Sequence, residues 1–226
     1  MRQSLFAVPY PDTLTEHQPR ITGGNRMEIV VAGDCIFYVK ELLSSELCRA
    51  LIENYQRDPR RHPGYTVGSR GETKAYDDVK VSTDLGVVNE GAWIAVHGQL
   101  HEAVSRVVAS IASQFPSLQV WPLRCTGYKI QHYKKNEGHF KWHFDALGPG
   151  AWDRQLAMVI FLNSVAEGGE TCFHRQNLKV RPVAGDAVFF PTFWTHMHCG
   201  EIPKSEDKYI VSSFVCFDIP ATDRES

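Results

Sequence analysis

"HFKWHFDA" (139–146) decides how the rest of this chain is read. On a β-strand, successive side chains point to opposite faces. His143 and Asp145 then share one face, and Trp142 and Phe144 share the other. If that first face looks into a barrel, the histidine and the aspartate are polar groups buried without partners, which is costly. One metal ion satisfies both. A strand histidine beside a surface aspartate spells the same letters, so the reading needs a third donor elsewhere.

A second run, "FFPTFWTHMHCGEIPKSEDKYIVSSF" (189–214), offers His196 and His198. Two imidazoles and one carboxylate on one side of a metal leave positions open opposite, the arrangement of non-haem Fe(II) oxygenases. The HEXXH and paired-cysteine spacings of zinc proteins are absent.

The whole chain sets the frame. Its 226 residues suit one domain, and a chain of this size buries roughly 70–75% of its unfolded surface. A net charge of -2 gives no electrostatic reason to expect nucleic acid or an anionic membrane as partner. No apolar run approaches the ~20 residues that span a bilayer. The first residues lack the apolar core of a signal peptide. Cys35, Cys48, Cys125, Cys172, Cys199 and Cys216 are scattered, with no CxxC pair. Free thiols in a reducing, cytoplasmic compartment are the expectation.

Residues 1–26, with Pro9, Pro11, Pro19 and Gly23-Gly24, read as an N-terminal arm, and 27–226 as one domain. Within it, 44–115 reads as helical support. "CIFYVKE" (35–41) is a short strand. "SSELCRALIENYQRD" (44–58) places Leu47, Leu51, Ile52 and Tyr55 at helical spacing behind a serine cap. A longer helical pattern runs over 90–115 through Trp93, Val96, Leu100, Val104, Val107, Val108 and Ile111. From 118 to 218, short β-rich runs alternate with Gly, Pro, Asn and Asp, which predicts a β-barrel. The expected class is mainly β with flanking helices.

With these elements in place, the chain resembles the Fe(II)/2-oxoglutarate-dependent dioxygenases of the prolyl 4-hydroxylase-like branch. The resemblance covers most of 35–218 and rests on segments in the family's order. These are "CIFYVKELLSSELCRALIE", "HYKKNEGHFKWHFDA", "RQLAMVIFLNSVAEGGETCFH", "VRPVAGDAVFFP" and "HCGEIPKSEDKYIVSSF". It implies a double-stranded β-helix, a jelly-roll of the cupin-like kind, supported by the two helices. It also implies Fe(II), 2-oxoglutarate and O2, with hydroxylation of a C–H bond and release of succinate and CO2.

The family pattern chooses His198 over His196 as third ligand. Lys208 follows His198 by ten positions, and Gly200 and Pro203 complete an H-x-G-x-x-P frame. The implied metal and catalytic set is His143, Asp145 and His198. His196 is the spare, expected to share the strand face by alternation and to orient a ligand. Lys208 is implied to grip the distal carboxylate of 2-oxoglutarate. Tyr133, ten before His143, is implied to help it, or else is one more buried strand aromatic. Arg154 and Asn163 are expected in structural roles, and Phe161 and Phe140 stand where many members have tyrosine. Trp142, Trp152 and Trp194 either line the substrate pocket or, as expected here, pack in the core, and 145–155 reads as a mobile loop over the site.

Retention of Asp145 favours hydroxylation, or desaturation or ring closure by the same oxidant. A metal-binding barrel without turnover, serving as an interaction protein, is the rival from another class. The substrate is a prolyl or other residue of a peptide, or a free small molecule. Oligomeric state is not legible.

Overall fold

The computed structural model describes residues 20–22, 28–67, 73–74 and 77–219. Strands β1 (Arg20–Thr22), β2 (Glu28–Val31) and β3 (Phe37–Val39) lead into helix α1 (Ser45–Arg57). Short strands β4 (His62–Pro63), β5 (Thr66–Val67), β6 (Thr73–Lys74), β7 (Lys80–Val81) and β8 (Thr83–Val87) precede the long helix α2 (Ile94–Gln114). The barrel strands follow: β9 (Leu123–Cys125), β10 (Tyr128–Tyr133), β11 (His139–His143), β12 (Arg154–Phe161) and β13 (Thr171–Phe173). The chain closes with β14 (Leu178–Val180), β15 (Ala187–Pro191), β16 (His198–Gly200) and β17 (Lys208–Phe217).

The strands form a large antiparallel sheet ordered β1-β2-β3-β15-β12-β17-β10-β8-β4, with β9 on β17, and a small one ordered β14-β13-β16-β11-β7. Alternation along the large sheet gives it two apolar faces. Leu156, Met158 and Ile160 of β12 belong to one buried cluster, and Ala157 and Phe161 to another. The first cluster is covered by the helices. Ser44 Oγ accepts from Leu47 N to cap α1, whose Leu47, Leu51 and Tyr55 turn inward. α2 contributes Leu100, Val104, Val107 and Ile111 to the same face. Truncating Leu100 to alanine there should cost about 2–5 kcal/mol, the usual loss for a filled site left empty. The second cluster brings Ala157, Phe161, Val188, Phe190 and Ile210 against Phe173, Leu178 and Val180 of the small sheet. The two sheets therefore pack face to face.

The span assigned to helical support differs from expectation. Residues 58–90 contain strands, of which β8 and β4 extend the large sheet and β7 the small one. The hydrophobic alternation that marks a strand is hidden there because Lys80 and Asp84 occupy buried positions. Part of the presumed arm, Arg20–Thr22, is a strand paired with β2; the rest of 1–26 lies outside the described residues. All six cysteines are free. No helix among the described residues is long and apolar enough to cross a membrane.

Candidate metal centre

The small sheet brings the predicted donors together. β11 ends at His143, which stands directly opposite His198 at the start of β16, after a register shift between Phe140 and His143. Two residues on, the main-chain N–H groups of Asp145 and Ala146 both donate to Thr192 O at 3.0 Å, fixing the turn out of the strand. Arg154 Nη1 donates to the Asp145 carbonyl at 3.1 Å, and its guanidinium lies 3.9 Å from the Phe214 ring centroid. His143 Nε2 is then 3.8 Å from Asp145 Oδ1, and His198 Nε2 is 3.5 Å from Oδ2. One donor atom from each residue fits within a 4.8 Å span.

Main-chain carbonyls decide which imidazole nitrogens are free. His143 Nδ1 lies 2.7 Å from Lys141 O and His198 Nδ1 lies 2.9 Å from His196 O. A carbonyl only accepts, so each Nδ1 carries the hydrogen and each Nε2 presents a lone pair to the site. Burial holds His143 well below the ordinary histidine pKa, so its ring is neutral. Burial also raises the Asp145 carboxyl, against the pull of His198, Arg154 and Lys80. Two lone pairs and a carboxylate converge with no donor among them. A divalent cation supplies what that set lacks, and nitrogen–oxygen ligation suits Fe(II).

Lys208, at the start of β17, is 3% exposed and donates to Gly169 O at 2.6 Å. That uses one of its three hydrogens. Its ammonium lies 5.4 Å from the Tyr133 ring centroid and 5.8 Å from that of Phe161. Burial lowers its pKa to about 8. Asn163 holds the strand on either side of it, donating to Asp207 O and accepting from Tyr209 N, each at 2.8 Å. The Gly169 carbonyl is presented by "EGGET" (167–171), where Gly168 has φ +73° and a Cβ would meet Ile202 O at 2.3 Å. Only glycine fits there. Tyr133 is buried, and its hydroxyl donates to Gln131 Oε1 at 3.2 Å. One cavity of about 90 Å³ touches His143, Asp145, His198, Tyr133, Gly200 and Lys208. Phe140, Ala157, Phe190, Ile210 and Phe214 give it apolar walls.

His196 is not on this face. It ends a one-turn 3-10 helix (Trp194–His196), so strand alternation does not reach it. Its ring points elsewhere, Nε2 toward Asp34 O and Nδ1 toward Thr195 Oγ1. What it offers His198 is a main-chain carbonyl, not the ring. Core packing is also wrong for two tryptophans: Trp152 is 65% and Trp194 69% exposed, because Trp194 starts that 3-10 turn and Trp152 follows another, both outside the ladders. Trp142 is half-buried, edge-on to His174. Phe140 stacks on His143, ring centroids 3.5 Å apart.

Sequence reasoning missed a buried network beneath the pocket. Lys80 Nζ pairs with Asp84 Oδ2 at 2.9 Å, with exposures of 2% and 0%. Ser82 Oγ donates to Asp84 Oδ1 at 2.7 Å and Gln131 Nε2 to Oδ2 at 3.3 Å, while Gln131 Oε1 accepts from Tyr133. Burial lowers the Lys80 pKa against the pull of Asp84. A lysine four residues before an aspartate usually marks a solvated surface, so the letters carry no signal of it.

With the fold and site in view, comparison with known proteins gives the class. Residues 128–216 match the family model described as the 2OG-Fe(II) oxygenase superfamily. This segment, which builds most of the jelly-roll barrel, is similar to that superfamily. Within it, the likeness is to prolyl 4-hydroxylases. Prolyl 4-hydroxylase 13 of Arabidopsis thaliana is 26% identical over 175 residues, 69% of this chain. The match spans 58% of that relative's own length, less than two thirds. A Trichoplax adhaerens prolyl hydroxylase, solved with a hypoxia inducible factor oxygen degradation domain peptide fragment, superposes with a TM-score of 0.69 at 13% identity. That superposition covers 85% of this chain and 87% of the other. A Pseudomonas putida prolyl-4-hydroxylase gives 0.64 at 17%, covering 83% and 95%. These superpositions establish the double-stranded β-helix.

Proposed function

We propose that this protein is a Fe(II)- and 2-oxoglutarate-dependent oxygenase that hydroxylates a C–H bond of a prolyl or similar residue in a peptide. One observation carries the reading. A donor-free convergence of His143 Nε2, Asp145 and His198 Nε2 shares a single cavity with a buried ammonium at Lys208.

Bound Fe(II), with 2-oxoglutarate and O2, supplies the oxidising power, and succinate and CO2 are the by-products. The chain does the rest. His143, Asp145 and His198 hold the metal from one side and leave the other side of the cavity to ligands. Lys208 has hydrogens left over from its bond to Gly169 O for the distal carboxylate of the co-substrate. Tyr133, steadied by Gln131, stands beside it. Phe140, Phe190, Ile210 and Phe214 keep water from the space between.

The peptide choice rests on the rim. Leu147 and Trp152 follow Asp145 in sequence, and Phe193, Trp194 and Met197 precede His198; all are exposed. Apolar side chains in that number on the segments flanking a metal site suit a partner with extended surface better than a free amino acid.

The test is anaerobic addition of Fe(II), then 2-oxoglutarate, to the metal-free protein. The visible iron-to-ketoacid charge-transfer band should appear, vanish in His143→Ala and demand far more co-substrate in Lys208→Ala. Tight metal binding without that band overturns the reading. Co-substrate turnover stimulated by proline-containing peptides but not by free proline then supports the substrate class.

A further inference from the structure

The back of strand β16 carries a second donor cluster that the oxygenase reading does not use. His198 faces the cavity, and alternation along β16 turns the Cys199 side chain to the opposite face of the small sheet, although Cys199 is itself among the residues that line the cavity. On β13, Cys172 stands directly opposite Cys199 in the ladder and shares that outer face. Glu201 completes the group: Cys172 Sγ is 3.9 Å and Cys199 Sγ 4.0 Å from the same oxygen, Oε1. One donor atom from each of the three lies within 4.8 Å of the others.

We propose that Cys172, Cys199 and Glu201 form a binding site for a thiolate-preferring divalent cation of the zinc type. Zinc takes sulfur at about 2.3 Å and carboxylate oxygen at about 2.0–2.2 Å, so a tetrahedral site has donor–donor edges of roughly 3.5–3.8 Å. The sulfur–oxygen edges at 3.9 and 4.0 Å need to close by only a few tenths of an ångström. Two thiolates with a carboxylate prefer zinc to iron, the reverse of the His143–Asp145–His198 set. The two thiols are buried while Glu201 is exposed, which gives the ion a route in through the carboxylate. Binding displaces the two thiol protons to solvent and leaves a fourth position for water. The cation, two thiolates and the carboxylate together carry a net charge of -1. Lys179, opposite Cys172 on β14, lies on the side that offsets it.

The consequence is mechanical. The outer ion would join β13 to β16, and β16 carries His198 in its next residue. Occupancy of the outer site would stiffen the strand that presents a ligand to the inner one.

Cobalt separates the two sites, because only sulfur ligation gives an intense near-ultraviolet thiolate-to-cobalt charge-transfer band. Full-length protein should be reduced, freed of metal and titrated with Co2+ in the absence of O2, in wild type and in His143→Ala. A band that saturates with one equivalent in both, is bleached by Zn2+, and is lost in Cys172→Ser and in Cys199→Ser is the expected result. Zn2+ should also protect those two cysteines, but not Cys35 or Cys125, from alkylation read peptide by peptide. That second readout uses wild-type protein and survives a misfolded variant. No band together with no protection, or a band that persists in Cys172→Ser, overturns the site. Failure here leaves the iron-to-ketoacid band untouched, so the two readings fall separately.

Discussion

Tyr133 and Lys208 are direct partners across the β10–β17 ladder, and the Lys208 ammonium lies 5.4 Å from the Tyr133 ring centroid. Residues 75 positions apart are held in register by the ladder, so neither side chain depends on a loop for its place. Gly169 O, Asn163 and the aromatic rings then confine the lysine to one orientation.

That confinement makes Lys208 hard to replace. Lys208→Ala should weaken 2-oxoglutarate binding by about 3–5 kcal/mol, roughly a hundredfold to a few thousandfold, because a buried carboxylate loses its only ammonium partner. Fe(II) affinity should change little. Isothermal titration of the metal-loaded, O2-free protein separates the two.

The pKa of about 8 at Lys208 gives co-substrate binding a pH limit. Below pH 8 the ammonium is charged in the free protein and affinity should be flat. Above it, binding must also take up a proton, so affinity should fall toward tenfold per pH unit. Folding stability responds in the opposite sense. The unfolded lysine keeps its proton up to about 10.5, so between pH 8 and that value the unfolded state binds more protons and this group makes the fold more stable as pH rises. Lys208→Arg, which does not titrate in this range, should flatten both profiles.

The Lys80–Asp84 pair is fully buried, so removing Asp84 takes the paired carboxylate from Lys80, while removing Lys80 leaves Asp84 only the more distant Lys129 ammonium at 3.7 Å and its neutral donors. Asp84→Asn and Lys80→Met should each destabilise the fold by about 3–5 kcal/mol. The combined Lys80→Met, Asp84→Leu variant should lose much less than the sum. Urea unfolding midpoints at constant slope give the comparison. Additive losses would show that the two residues are not coupled.

His196 and His143 should behave oppositely. The His196 ring holds Asp34 O, and only its main chain orients His198. His196→Ala should lose about 1 kcal/mol of stability from that bond and keep its Fe(II) site. His143→Ala should lose the iron. Metal content by atomic emission after Fe(II) loading and desalting distinguishes them.

What the sequence made legible divides along physical lines. The helices over 44–58 and 90–115 follow from 3.6-residue apolar spacing, and Ser44 caps the first as its chemistry suggests. The barrel strands follow from short β-rich runs between turn residues. The meeting of His143 and His198 was readable because they end up opposite each other on β11 and β16, whereas Asp145 joins them from the turn beyond β11 rather than by strand alternation. His196 was misplaced because a single 3-10 turn breaks that alternation two residues before His198. Strands β7 and β8 were invisible for the opposite reason: their inward positions hold Lys80 and Asp84, whose pairing exists only in three dimensions. Trp152 and Trp194 failed as core residues because composition marks them apolar, while the short turns that carry them hold them at the surface.

One feature of the architecture sets a length scale. The candidate metal donors His143 and His198 come from the small sheet and Asp145 from the turn after β11, whereas Tyr133 and Lys208 belong to the large sheet. Facing sheets hold a spacing of about 10 Å, fixed by the side chains packed between them. A molecule gripped by the cation at one end and the ammonium at the other is therefore measured against that gap. The barrel would work as a caliper: Phe161, Phe173 and Phe190, packed between the sheets, set the jaw opening and with it the length of dicarboxylate that would fit.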